Sequence, residues 1–171
     1  QLLRHWWRDD HEPRLFFCQL EAVETMILLA EINGRTGRRI RVPVDAVEDA
    51  EGLRRGYKPL KRHACKMATG SGKTIVMAMI AAWSILNKVQ DKGNPRYSDA
   101  ILIVCPGLTI RERLQVLLPG SEGNYYDKFD LIPPGMNEML GSGRFHITNW
   151  HDFMLRDDSK KTGVLQRGAE S

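Results

Sequence analysis

The chain of 171 residues carries a formal net charge of +4, a pI near 9.1 and 42% hydrophobic residues, an ordinary globular composition that suits one domain with a real core. Its longest apolar run, residues 75–83, is too short to span a bilayer, and no signal peptide opens it. Three cysteines cannot all pair within the chain and none has metal-ligand spacing, which argues against a secreted disulfide scaffold and for buried, reduced thiols in a cytoplasmic protein.

Gln1 rather than Met stands first, so a fragment or a processed chain is expected. Trp6-Trp7 lie between Arg4 and Arg8, ahead of Asp9-Asp10. Aromatics flanked by arginines can stack on bases; a Trp pair more often packs a terminus onto a core, and that reading is preferred. From 14 to 31, Phe16, Leu20, Val23, Ile27 and Ala30 recur at helical spacing, and Asn33-Gly34 and Gly37 end the helix. A strand is expected over 38–44 and an exposed loop over 45–60. Ten basic residues between Arg35 and Lys66 are offset by four acids, so about 33–62 reads as a basic insertion, open between a solvated surface and a nucleic-acid contact.

Residues 64–86 are the stretch around which the chain is organised. A short apolar strand, 64–68, enters Ala68-Thr69-Gly70-Ser71-Gly72-Lys73-Thr74, and a long apolar helix of about 73–88 leaves it. Strand, glycine-rich turn and helix are the context of a phosphate-binding loop. Gly70 and Gly72 let backbone N–H groups converge where a side chain would intrude. The helix start adds unpaired donors and the positive end of its dipole. Lys73 supplies a charge for the β- and γ-phosphates and Thr74 a hydroxyl for Mg²⁺. Met67 stands where the common pattern has glycine.

Residues 88–97 read as a surface loop, and the unbroken run Ala100–Cys105 as a central parallel strand covered on both faces. Thr109-x-x-Glu112 is read as a capping box opening a helix with Ile110, Leu114, Leu117 and Leu118 inward, closed by Pro119-Gly120. An irregular connection over 120–135 and one helical turn over 136–141 lead to a half-buried strand over 144–148. Asn149 then caps a short helix to about Leu155, and the chain frays from Arg156. The alternating order predicts a parallel α/β sheet. It sets the phosphate loop, Pro106 onward and Thr148-Asn149 on one sheet edge, where such folds gather ligands. Turnover of a nucleoside triphosphate also needs a strand-end carboxylate for Mg²⁺ and a positioned water. No apolar run ends in Asp or Asp-Glu, and Val42-Pro43-Val44-Asp45 is spoiled by its proline.

Met67–Thr74 resembles motif I of superfamily-two (DEAD/DEAH-box) helicases, in the form used by restriction-enzyme motor subunits. Phe16–Thr25 resembles the glutamine motif, Ile103–Arg111 motif Ia, and Ile147–His151 the later DNA-backbone motif. The nearest family is the Res subunit of type III restriction–modification enzymes. The resemblance implies the N-terminal, incomplete part of a RecA-like domain over 1–171, a three-layer parallel sheet with flanking helices. It implies ATP and Mg as cofactors, with Phe17 near the adenine, Gln19 reading its edge, and Thr69, Gly70, Ser71, Gly72, Lys73 and Thr74 on the phosphates. Pro106, Gly107, Arg111, Thr148 and Asn149 would meet DNA. Partners would be double-stranded DNA, the remaining helicase and nuclease domains and a modification methyltransferase subunit, with no membrane. Two other functions stay open: a small P-loop phosphotransferase with an acceptor lid, and a nucleotide-binding module that never hydrolyses.

Overall fold

The computed structural model describes residues 1–31, 44–45, 50–57 and 60–153. Its centre is the helix α4, Lys73–Gln90, which follows α1 (Leu2–Trp6), α2 (Phe17–Glu31), β1 (Val44–Asp45), α3 (Ala50–Arg54) and β2 (Leu60–Lys61). Then come β3 (Ala100–Cys105), α5 (Leu108–Arg113) with a 3-10 turn over Leu114–Leu117, α6 (Tyr125–Lys128), α7 (Asn137–Gly141), β4 (Arg144–Asn149) and a 3-10 turn over Trp150–Phe153.

Because α4 is apolar nearly all round, it buries more than one side, as its sequence demands. Val76, Ala78, Met79, Ala82, Ile85 and Leu86 are all sealed from solvent. They join Leu20, Val23 and Ile27 of α2, Tyr126 of α6, Leu140 of α7 and the strand residues Ile103 and Ile147 in one core. Truncating Met79 or Ile85 to alanine costs about 2–5 kcal/mol, from lost transfer energy and the cavity left behind.

β3 and β4 form a parallel pair in register from Ala100↔Arg144 to Cys105↔Asn149. Ser84 lies at the amino end of β3, its hydroxyl donating to Ser98 O at 2.9 Å and accepting from Ser98 N at 3.0 Å. Ile85 lies against Gly143 at the start of β4, so closely that a Cβ there would come within 2.6 Å of Ile85 Cδ1. The late turns of α4 thus sit beside the amino ends of both strands. Lys73, eleven positions before Ser84, stands about 16 Å back along the helix, at 1.5 Å per residue, toward the carboxyl ends. That is the edge where the sequence gathers its motifs.

Several expectations need correction. Residues 62–68 form no strand. An apolar stretch supplies strand side chains but not the neighbouring chain that completes the ladder, and among the described residues nothing pairs with it. Ala64 and Cys65 are accordingly exposed. β3 is covered on one face only: Ile103 and Cys105 are buried, whereas Leu102 and Val104 are 58% and 47% exposed. The capping box is absent too. α5 starts at Leu108 behind Gly107, with no side-chain cap, so Thr109 is already inside the helix. No residue of α5 is buried, and of the four expected inward residues Leu117 alone is sealed. The stretch 45–60 contains α3 and pairs β1 with β2, antiparallel, through Val44↔Lys61. Most of the 38–44 strand and of the basic insertion, and everything after Phe153, lie outside the described residues.

The amino-terminal residues pack onto the core, which settles the reading of Trp6. It is 2% exposed, and its Nε1 donates to Leu131 O at 2.8 Å. His5 Nε2 meets Asp130 O at 2.7 Å, His11 Nε2 meets the same oxygen at 3.2 Å, and the Arg8 guanidinium pairs with the Asp130 carboxylate. Trp7 stays half out, its Nε1 on Glu24 and its ring edge-on to Phe17.

Candidate functional site

Gly70 and Gly72 hold φ of 82° and 80°, a left-handed backbone that costs about 1–2 kcal/mol for a residue with a Cβ. The turn is closed by Ala68 O, which accepts from Ser71 Oγ at 2.7 Å and Ser71 N at 3.4 Å. Gly72 then caps α4 with its carbonyl, taking Ile75 N at 2.9 Å and Val76 N at 3.3 Å, and offers no side-chain cap. The N–H groups of Gly72, Lys73 and Thr74 find no acceptor among the described residues. Three adjacent free donors at the start of an 18-residue helix are a built anion site.

Lys73 is exposed, and its Nζ donates to Ala68 O at 2.9 Å and Met67 O at 3.3 Å. A cation resting on two neutral carbonyls of its own loop has spent little of its capacity and lies within the turn. Thr74 is half-buried in the first turn of α4, able to give one oxygen to a hard cation. Mg²⁺ characteristically keeps waters and takes one or two protein ligands plus phosphate oxygens, so a single Thr hydroxyl beside the loop fits it. The described residues include no group of three or more His, Cys, Asp or Glu that could hold a metal by themselves.

Gln19 is the surprise of the loop's surroundings. It is 1% exposed, its Nε2 donates to Ser71 O at 3.0 Å, and its Oε1 accepts from Phe16 N at 2.9 Å. Phe17, by contrast, is 68% exposed. It stands on the rim of a cavity of about 890 Å³ between α2, from Phe17 to Leu29, and residues 62–68, which ends at Ala68 and Ser71 beside the loop. The volume lies in the range of small-molecule pockets. Cys18 and Cys65 line it and both are exposed, which corrects the expectation of three buried thiols; Cys105 alone is buried. The cause is the missing strand partner of 62–68.

At the ends of β3 and β4 the structure brings Pro106 and Gly107 beside Thr148 and Asn149 through the Cys105↔Asn149 register. Arg111 is exposed on α5, and its guanidinium has no partner among the described residues. Thr148 and Asn149 are different: both are buried. Thr148 Oγ1 donates to the Asp152 carboxylate, and Asn149 N donates to Asp152 Oδ2 at 3.2 Å. Cys105 Sγ donates to Thr148 O and Asn149 Oδ1, each at 3.4 Å. Asp152 was missed at the level of sequence. The signal was present, an acid three residues after the N-cap position Asn149, which bonds back to the cap N–H as in a capping box.

The displaced pKa values lie away from the loop. Burial pushes the His5 ring down and the Tyr126 phenol up. Burial, then the Glu31 carboxylate, push Tyr97 up. The Arg144 guanidinium, 2.9 Å away, holds Asp99 below the usual carboxylate range.

Against known families, residues 13–161 match the model of the type III restriction enzyme res subunit. No curated protein and no solved structure matches the chain.

Proposed function

The chain belongs to the family of the type III restriction enzyme res subunit, a helicase-family domain, and from that premise we propose that it is the ATP-binding part of an ATP-dependent DNA translocase, built on a three-layer RecA-like sheet. The observation that carries the reading is the turn at Gly70–Thr74: two left-handed glycines, three N–H groups with no acceptor among the described residues, and a lysine held only by two carbonyls of its own loop. Gly72, Lys73 and Thr74 N–H groups hold the phosphates, Lys73 Nζ leaves Ala68 O for the β- and γ-phosphates, and Thr74 gives its hydroxyl to Mg²⁺. That hydroxyl would hold Mg²⁺, which would supply positive charge to offset the charge that develops in transfer. Phe17 and Ser71 border the space for the base, and Gln19 stands behind Ser71, bonded to its carbonyl.

DNA would cross the same edge at Pro106, Gly107, Arg111, Thr148 and Asn149. Family membership supports DNA and other restriction-enzyme subunits as partners; further helicase and nuclease domains and a modification methyltransferase, in the cytoplasm, are the finer part of the proposal. No described helix is long and apolar enough to cross a membrane. β3 and β4 end in Cys105 and Asn149, not in a carboxylate. That favours binding without turnover by residues 1–171 alone.

The test is a binding isotherm for a non-hydrolysable ATP analogue with Mg²⁺, beside a phosphate-release assay with and without duplex DNA. Saturable binding with background hydrolysis is the expected outcome. Absence of analogue binding would sink the reading. DNA-stimulated turnover would place the catalytic acid within this chain, at Asp45, Asp130 or Asp152.

A further inference from the structure

Gln19 and Gly72 are built against each other. A Cβ placed on Gly72 would overlap Gln19 Nε2 and come within 3.2 Å of Gln19 Cδ. The Gln19 amide bridges two elements: Oε1 caps the start of its own helix at Phe16 N, and Nε2 holds Ser71 O, 52 residues away. We propose that Gln19 is a positioning residue for the phosphate loop, setting affinity for the triphosphate of any nucleotide rather than choosing the base.

One peptide plane transmits the effect. In a trans peptide the C=O and the next N–H point in opposite directions. Holding Ser71 O toward Gln19 therefore aims Gly72 N–H away from it, and that N–H is one of the three free donors at the start of α4. A loop whose carbonyl is tethered keeps its donors aimed before the anion arrives. An untethered loop must order them on binding, at a cost in affinity. The remaining N–H and lone pair of Gln19 are sealed, since the residue is 1% exposed. A base edge would reach them only after Gln19 let go of Ser71, and the loop would then lose its tether.

The inference rests on the loop being the nucleotide site, so the experiment separates the two. Affinities of the whole chain for ATP, GTP and inorganic tripolyphosphate, each with Mg²⁺, are measured by calorimetry in wild type, Gln19→Ala and Gln19→Glu. Loss of one such hydrogen bond should weaken all three ligands in Gln19→Ala by a common factor, about tenfold, leaving the ATP/GTP ratio unchanged. Gln19→Glu keeps the acceptor for Phe16 N but sets a carboxylate against Ser71 O. Its protonated form regains the donor, so its deficit relative to wild type should shrink as pH falls, which a purely steric role would not produce. A collapsed ATP/GTP ratio with tripolyphosphate binding intact would overturn the proposal and make Gln19 a base reader. A pH-independent deficit in Gln19→Glu would also overturn it. If wild type bound none of the three, the reading of the loop itself would fall, and this inference with it.

Discussion

The glycine turn at Gly70–Thr74 and the strand-end segment sit on one edge of the molecule, yet they hold their polar groups in opposite ways. At Gly70–Thr74 three N–H groups have no acceptor among the described residues, and the lysine leans only on two carbonyls of its own loop. At Thr148-Asn149 the Thr148 hydroxyl and the Asn149 N–H are spent on Asp152, and Asn149 Oδ1 accepts from Cys105, behind buried side chains. Free donors make a site that can be loaded as it stands. Committed donors make a rigid corner; any contact with a polyanion there would fall to its exposed neighbours, Arg111 foremost. A phosphate has no proton to offer a hydroxyl whose own proton is already given away.

The largest effect that would break this contrast is at Lys73. Lys73→Ala should weaken ATP binding about 10- to 100-fold, the worth of charge-assisted bonds to phosphate, while leaving thermal stability unchanged, because Nζ supports nothing but its own loop. Calorimetry and a melting curve on the same samples check both halves. Equal ATP affinity would mean the loop is only a helix cap.

Next come the two glycines. Gly70 and Gly72 share the left-handed backbone, but a Cβ at Gly70 meets nothing within 4 Å, whereas at Gly72 it strikes Gln19. Gly70→Ala should cost about 1–2 kcal/mol of stability from backbone strain. Gly72→Ala should cost about 1–3 kcal/mol more, from overpacking against Gln19. Denaturant titration of the pair reads the difference, and equal losses would remove the close fit between α2 and the loop.

At the strand ends the expected changes are smaller. Arg111→Ala should weaken duplex DNA binding across sequences and reduce the slope of log affinity against log salt by about 1. Asp152→Asn keeps an acceptor for Thr148 and Asn149 N but removes a negative charge, so DNA affinity at low salt should rise by about two- to fivefold, through weaker repulsion. Fluorescence anisotropy at two salt concentrations measures both. A fall in affinity for Asp152→Asn would show that the carboxylate orders the corner for DNA rather than opposing it.

The smallest effect is a pH slope. Burial holds the His5 ring below its ordinary value of 6.5, against the opposing hydrogen bond of Asp130 O, with Arg8 and His11 also lowering it and the Asp130 carboxylate raising it. The unfolded chain therefore takes up the proton first as pH falls through 6.5, and stability should decline from there downward. His5→Gln should flatten that part of the stability–pH curve. A slope unchanged in the variant would assign it to other groups.

What can be read in the sequence is what neighbouring residues decide among themselves. The Gly70, Gly72 and Lys73 spacing, the apolar wrap of α4, and the strands β3 and β4 all come through within a residue or two, since local pattern dictates each. Most of the misses are matters of partnership. No pattern in 64–68 says whether a second chain will lie beside it, so the apolar run predicts a strand where no ladder forms among the described residues. The helix α5 begins at Leu108 behind the extended Gly107, one residue before Thr109, so Thr109 lies inside it and caps nothing. The covered face expected over Leu102 and Val104 needs a layer that the described residues do not contain. Gln19 is legible as a polar residue in the right place, but its bond to Ser71 joins positions 52 apart, and nothing in either segment announces the other.

The clasp of the first turn onto Asp130 and Leu131 has its own consequence during synthesis. Trp6 and Leu131 are separated by 125 positions. A ribosome adding about 5–20 residues per second leaves that indole without its acceptor for about 6–25 s. Throughout that interval one of the largest side chains of the finished core lacks its buried acceptor, beside a second tryptophan and two arginines. Such a segment is an early docking point for a holdase. Stalled nascent chains arrested before residue 131 should show red-shifted tryptophan emission and chaperone cross-links at the first turn, and those arrested after the 126–132 loop has cleared the exit tunnel should show neither.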